Sequence, residues 1–175
     1  MARLKLAEKR HGTKRTWGRD TECLTTRSDS GQSTQGLENA VKRRHASVVI
    51  TSRTTARAEQ LAQRVGAKVV EWGSRHNVAA DVVINCTPVG MHPHVDDSPY
   101  EKHRLRPSMV VFDTVYNPET TLLIKEARAR SCKVITGVDM FIRQAALQFQ
   151  LFTEQEAPTG LMRDVLKRAI GPVKY

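Results

Sequence analysis

No stretch of about 18 apolar residues occurs anywhere in this chain of 175, so no segment has the length to span a bilayer as a helix. The first residues also lack the continuous apolar run of a secretory signal. Cysteine is scarce: Cys23, Cys86 and Cys132 are odd in number and widely spaced, which suits neither a disulfide framework nor a zinc site. They fit a reducing compartment, and a cytoplasmic protein without membrane partners is expected. Aromatic residues make up only 5%, so the basic charge comes with no aromatic platform for single-stranded nucleic acid.

What is plentiful is positive charge, with a formal net of +10. Its distribution is uneven. Residues 1–44 hold 11 Lys/Arg against 5 Asp/Glu, a net of +6, which leaves +4 for the remaining 131. A basic front end of this kind can neutralise phosphates, but without a recognition motif nucleic acid is the weaker expectation. Residues 1–36 have sparse apolar positions with neither alternation nor a 3.6-residue period, so they read as a basic segment without a core of its own. Glu8, Asp20, Glu22 and Asp29 argue against an organellar presequence.

From Leu37 the pattern changes to alternating strand and helix signals, which predict an α/β fold with a parallel sheet over residues 37–175. Residues 37–44 would end a helix, and the β-branched run 47–51 suits a buried strand. Residues 55–65 read as a helix with Ala58, Leu61, Ala62 and Val65 on one face, closed by Gly66 as a C-terminal glycine. Further strands are predicted at 68–72, 81–85, 109–113 and 133–136. Asn117-Pro118 is the expected start of the helix containing Leu122, Leu123, Ala127 and Ala129. Asp139 is the expected cap of a long helix whose Phe141, Ala145, Phe149 and Phe152 should face a core.

Four polar clusters interrupt this pattern at strand ends or helix starts. Ser52-Arg53-Thr54-Thr55-Ala56-Arg57 follows the strand at 47–51, which takes the second place in a doubly wound sheet. In doubly wound sheets this position meets an adenosine ribose, with an acid selecting a 2′-hydroxyl and Arg accommodating a 2′-phosphate. No acid is present, and Arg53 can give a forked contact to phosphate, so NADP is expected rather than NAD. An ordinary solvated arginine is the plainer reading. Asn85-Cys86-Thr87-Pro88-Val89-Gly90-Met91 would otherwise be a tight turn. Thr114-Val115-Tyr116 could simply pack over a turn. Gln144, about 60° around its helix from Phe141, lies at the border of the apolar face or on the surface. His92 and His94, with no carboxylate partner, do not make a metal site.

Taken in order, Asn85 to Met91, Asp113-Thr114-Val115-Tyr116-Asn117-Pro118, and Gly137-Val138-Asp139-Met140-Phe141-Ile142-Arg143-Gln144 closely resemble the C-terminal half of shikimate dehydrogenases. The tail from Phe152-Thr153 to Ala157-Pro158 looks most like the bifunctional dehydroquinate dehydratase/shikimate dehydrogenase type. The resemblance implies an NADP-dependent interconversion of 3-dehydroshikimate and shikimate. It assigns Ser52, Arg53, Thr54 and Arg57 to the adenosine phosphate, although Ser52 stands where the family has Asn. Thr87, Val115 and Gly137 would lie by the cofactor, and Tyr116 and Gln144 would contact the small-molecule substrate.

The same resemblance exposes what is missing. The Gly-rich turn after the first strand should fall near residues 29–36, where only Gly31 and Gly36 stand and the close-packed glycine pattern does not occur. Leu24 to Ser28 is too polar for a central strand. The family's catalytic Lys and Asp pair has no counterpart either, so no catalytic residue is assigned. The expectation is an incomplete Rossmann-like sheet lacking its first strand, in a chain that descends from, or is a mis-framed reading of, a longer enzyme. On its own it would be inactive, or act as a non-catalytic NADP-binding or subunit-interaction module.

Overall fold

Five short apolar runs become five parallel strands in the computed structural model, which describes residues 47–170. The readings made for residues 1–46, including the basic segment, the helix end at 37–44 and the glycine turn, lie outside the described residues. Strand β1 (Val49–Ile50) leads into helix α1 (Thr55–Val65) and returns as β2 (Lys68–Val69), which pairs in parallel with β1. Strands β3 (Val82–Asn85), β4 (Val110–Asp113) and β5 (Lys133–Ile135) form a second parallel sheet in that order. Helix α2 (Leu122–Ala129) crosses from β4 to β5, and α3 (Gly137–Thr153) and α4 (Thr159–Ile170) follow. Among the described residues the strands pair as two separate sheets.

Two apolar clusters hold these pieces. Ala58, Ala62 and Val65, on one face of α1, close over Val48 and Ile50, with Ile84 of β3 packed against them from the other sheet. Gly66 ends α1 at φ 71°, a left-handed conformation that costs glycine little, and the cap N–H reaches the Ala62 carbonyl. The larger cluster joins Val83, Met109, Val111, Leu123 and Ala127 with Tyr100 and Leu105 from the long β3–β4 connection.

Four expectations need correction. The strand expected at 68–72 stops at Val69, and Trp72–Asn77 forms a 3-10 turn instead. Arg75 holds it there, donating to the Trp72 carbonyl at 2.6 Å and to that of Pro99 at 2.7 Å while lying over the Trp72 ring. Asn117-Pro118 does not open α2; Thr121 does, its hydroxyl accepting from the Ile124 N–H. Asp139 is not the N-cap of α3. Thr136 is, and Asp139 completes a capping box by accepting from the Thr136 N–H. The stripe of Phe141 to Phe152 does not face a core, for α3 buries Gly137, Val138 and Ile142 instead and Phe152 is 82% exposed. Periodicity marks a helix face, but only the neighbouring elements decide whether that face is covered.

Candidate functional site

The loops leaving the C-terminal ends of β1, β3 and β4 converge on a cavity of about 650 Å³. Open parallel sheets place ligands in this kind of crevice, outside the carboxyl ends of their strands. Its wall is made by Ser52, Arg53, Thr54 and Arg57 from the first loop, Thr87 from the second, and Val115 and Tyr116 from the third. Seven of the nine residues named from sequence therefore share one cavity.

The β1 loop is built around Ser52, a buried residue whose hydroxyl accepts from the Thr54 N–H at 3.1 Å and bends the chain into α1. Arg53 and Arg57 are exposed, and among the described residues neither has an ion-pair partner. Among the described residues no Asp, Glu or Lys lines the cavity. Two unpaired guanidinium groups beside the first turn of α1 make this end strongly anion-favouring.

The other two loops are fixed by a buried polar network that follows from strand register. Asn85 and Asp113 stand opposite each other in the β3–β4 ladder, both fully buried. The Asn85 amide donates to Asp113 Oδ1 at 3.0 Å and to the Val89 carbonyl at 3.2 Å, while its Oδ1 accepts from the Thr87 N–H at 2.9 Å and hydroxyl at 2.7 Å. Thr87 Oγ1 in turn accepts from the Val89 N–H. Asp113 also accepts from the Val115 N–H at 3.0 Å and from the Thr121 hydroxyl at 2.6 Å. Burial pushes the Asp113 carboxyl above the ordinary carboxylate range, although the bonds from Thr121, Val115 and Asn85 pull the other way.

Gly137 is buried behind the cavity wall rather than in it. A Cβ there would run into the Val115 carbonyl and lie 2.7 Å from the Thr114 oxygen, so glycine lets the start of α3 support the Val115 backbone directly. Tyr116 is 43% exposed, with its ring 5.5 Å from that of Phe141. Gln144 is exposed on α3 and does not line the cavity.

Cys86, Pro88, Met91, His92, Thr114 and Asn117 also line the cavity, and they were not among the residues chosen from sequence. His92 joins because its N–H reaches the Asn117 carbonyl across the two loops. Asn85, Asp113 and Thr121 were missed as a unit. The available signal was a polar residue closing each of two apolar strands, which forces a buried polar group to find a partner.

The shikimate 5′-dehydrogenase C-terminal domain matches this chain at residues 137–167, covering α3 and most of α4. The NADP(+) shikimate dehydrogenase of Moorella thermoacetica is 42% identical over 135 residues, 71% of this chain and 46% of the relative. The chain is a relative of the shikimate dehydrogenases, corresponding to their C-terminal part. A bifunctional 3-dehydroquinate dehydratase/shikimate dehydrogenase of Arabidopsis thaliana is 34% identical over 142 residues, 79% of this chain and 24% of that protein. The fold agrees: shikimate 5-dehydrogenase of Thermus thermophilus, solved with NADP(H) and shikimate, aligns at TM-score 0.68 and 28% identity over 85% of this chain and 54% of that one. The chain spans about half the length, or less, of these shikimate dehydrogenase relatives. No described helix is long and apolar enough to cross a membrane.

Proposed function

We propose that this chain carries the nucleotide-binding part of an NADP-dependent shikimate dehydrogenase, the enzyme that interconverts 3-dehydroshikimate and shikimate in aromatic amino-acid biosynthesis. The observation that carries the reading is the pair Arg53 and Arg57, without an ion-pair partner among the described residues, at the anion-favouring end of a cavity that no described carboxylate lines. That donor set fits a 2′-phosphate, and no acidic group among the described lining residues stands by to repel it. Ser52 and Thr54 add hydroxyls to the same end, Thr87 and Val115 border the nicotinamide side, and Gly137 supports Val115 from behind. Tyr116 and Gln144 would form one wall for the hydroxylated ring. Bound NADPH would supply the hydride; the residues of this chain bind and orient it. A cytoplasmic setting belongs to the same reading, in keeping with the free thiols of Cys86 and Cys132.

The absence of any lysine or carboxylate from the described cavity lining favours a second element of the proposal: this chain binds the nucleotide without turning over shikimate by itself. Titration of the purified chain with NADPH and with NADH, followed by nucleotide fluorescence, tests the first part. Tighter binding of NADPH is the expected result, and equal or absent binding overturns it. Shikimate-dependent NADP reduction by the same preparation would overturn the second.

A further inference from the structure

The buried carboxylate of Asp113 has no part in the reading above, yet every cavity loop except that of β1 hangs from it. We propose that Asp113 is a positioning residue: its carboxylate sets the Asn85 amide and the Val115 N–H, and through them fixes Thr87 and Val115 where the nucleotide is held. The consequence for NADP(H) rests on the proposed function; the positioning itself does not.

The direction of each bond supports this. One oxygen of Asp113 accepts from both Asn85 Nδ2 and the Val115 N–H, and the other from Thr121. With its Nδ2 drawn to the carboxylate, Asn85 must turn Oδ1 toward Thr87, which it meets through both the backbone N–H and the hydroxyl. Thr114 closes the same corner from the other side, its N–H and hydroxyl both donating to the Asn85 carbonyl. A carboxylate is needed because only it offers acceptors alone on both oxygens; a neutral acid or an amide must place a donor on one of them.

The choice works against stability. Burial is the largest influence on this carboxyl and acts against its charged form, and no charged side chain of β3, β4 or α2 is among the influences that offset it. An apolar or neutral residue would serve the core better, so the carboxylate is explained by what it holds in place.

Nuclear magnetic resonance of the unaltered, isotopically labelled chain tests the positioning without any ligand. As pH falls from neutral, the Val115 and Thr87 amide signals are expected to move along one curve with the Asp113 carboxyl carbon. A Thr87 amide that ignores that titration overturns the proposal. Asp113→Asn is then expected to weaken NADPH binding about tenfold, the scale of one charge-assisted hydrogen bond, with no lowering of the unfolding midpoint at neutral pH. Exchanging the pair, Asn85→Asp with Asp113→Asn, is expected not to recover that affinity, because an amide at 113 still sets a donor against the Val115 N–H or the Thr121 hydroxyl and a carboxylate at 85 has no donor for the Val89 carbonyl. Unchanged affinity in Asp113→Asn, or affinity lost only in step with stability, overturns the positioning role. If the unaltered chain takes up no NADPH, it is the proposed function that fails, and the amide curves alone decide the positioning.

Discussion

Asn85 and Asp113 are paired in register on adjacent parallel strands, and the amide of one donates to the carboxylate of the other at 3.0 Å with both side chains fully buried. The last rung of the β3–β4 ladder is therefore polar where the rungs before it are apolar, Val83 against Val111 among them. Each member of that rung is the last residue of its strand, so one polar pair sits where two loops leave the sheet. Both loops line the cavity.

The first expected outcome concerns pH. Asp113 has a folded-state pKa raised by burial, so the folded chain holds its proton more tightly than the unfolded chain. Its contribution therefore declines as pH rises from the unfolded value through the folded one, a window above the usual carboxylate range. Asp139 has the opposite sign: burial pushes it up, but the bonds from Thr136 and Arg163 outweigh this and hold it below the usual range, so its contribution fades as pH falls. Urea unfolding across pH should show both slopes, and Asp113→Asn should remove the upper one only. An upper slope that persists in that variant would show it comes from another group.

Thr121 joins the network to the helix. Its hydroxyl donates to Asp113 Oδ2 and accepts from the Ile124 N–H that begins α2, and it is 1% exposed. Thr121→Val keeps the shape and removes both bonds. A loss of about 2 kcal/mol is expected, combining an N-cap with a buried acceptor left unpaired. Thr121→Ser should recover most of it; if the two variants unfold alike, the methyl packing rather than the hydroxyl is what matters.

Gly137 and Gly160 make a paired comparison. A Cβ at Gly137 meets the Val115 carbonyl, whereas one at Gly160, in the first turn of α4, meets nothing within 4 Å. Gly137→Ala is expected to cost about 1–3 kcal/mol through overpacking and to weaken nucleotide binding by moving Val115. Gly160→Ala should be neutral or stabilise by about 0.5–1 kcal/mol, since alanine loses less entropy in a helix. Thermal unfolding of the two variants side by side gives the measurement, and a well-tolerated Gly137→Ala would mean that α3 can shift away.

How far these features were legible in the sequence depends on whether their cause was local. Helix α1 and its closing Gly66 were readable because a 3.6-residue stripe and a left-handed glycine are written in adjacent residues. The cavity loops were readable from motifs resembling those of the family, and seven of the nine chosen residues line one cavity. The Asn85–Asp113–Thr121 network was not. Its members are far apart in the chain, and their meeting follows from strand register, which no local signal carries. The start of α2 was misplaced for a related reason: Asn117-Pro118 has good capping chemistry, but Thr121 has a partner waiting in Asp113.

Arg53 offers a prediction that separates cofactors. If its guanidinium serves a 2′-phosphate, Arg53→Ala should weaken NADPH binding by roughly 10- to 100-fold, the range for a hydrogen bond to a charged group. NADH, which lacks that phosphate, should be nearly indifferent. Arg53 is exposed, so the fold should be unaffected. Fluorescence titrations of both nucleotides on both proteins supply the comparison, and parallel losses would place Arg53 at the shared pyrophosphate instead.

The exposed face of the last two helices sets the remaining expectation. Leu151 and Phe152 at the end of α3 are 73% and 82% exposed, and Leu161 and Val165 of α4 are 64% and 56% exposed. Helix α4 is tied down by polar contacts, Arg163 to Asp139 at 2.8 Å and Lys167 to Glu119 at 3.2 Å, and contains no buried residue. Apolar groups that remain in water contribute almost nothing to folding but favour association. Phe152→Ser with Leu161→Ser should therefore change stability by no more than about 0.5 kcal/mol per site, while reducing concentration-dependent light scattering of the chain. Destabilisation well beyond that would mean these side chains are covered in solution, and the stripe of Phe141 to Phe152 would then be a core face after all.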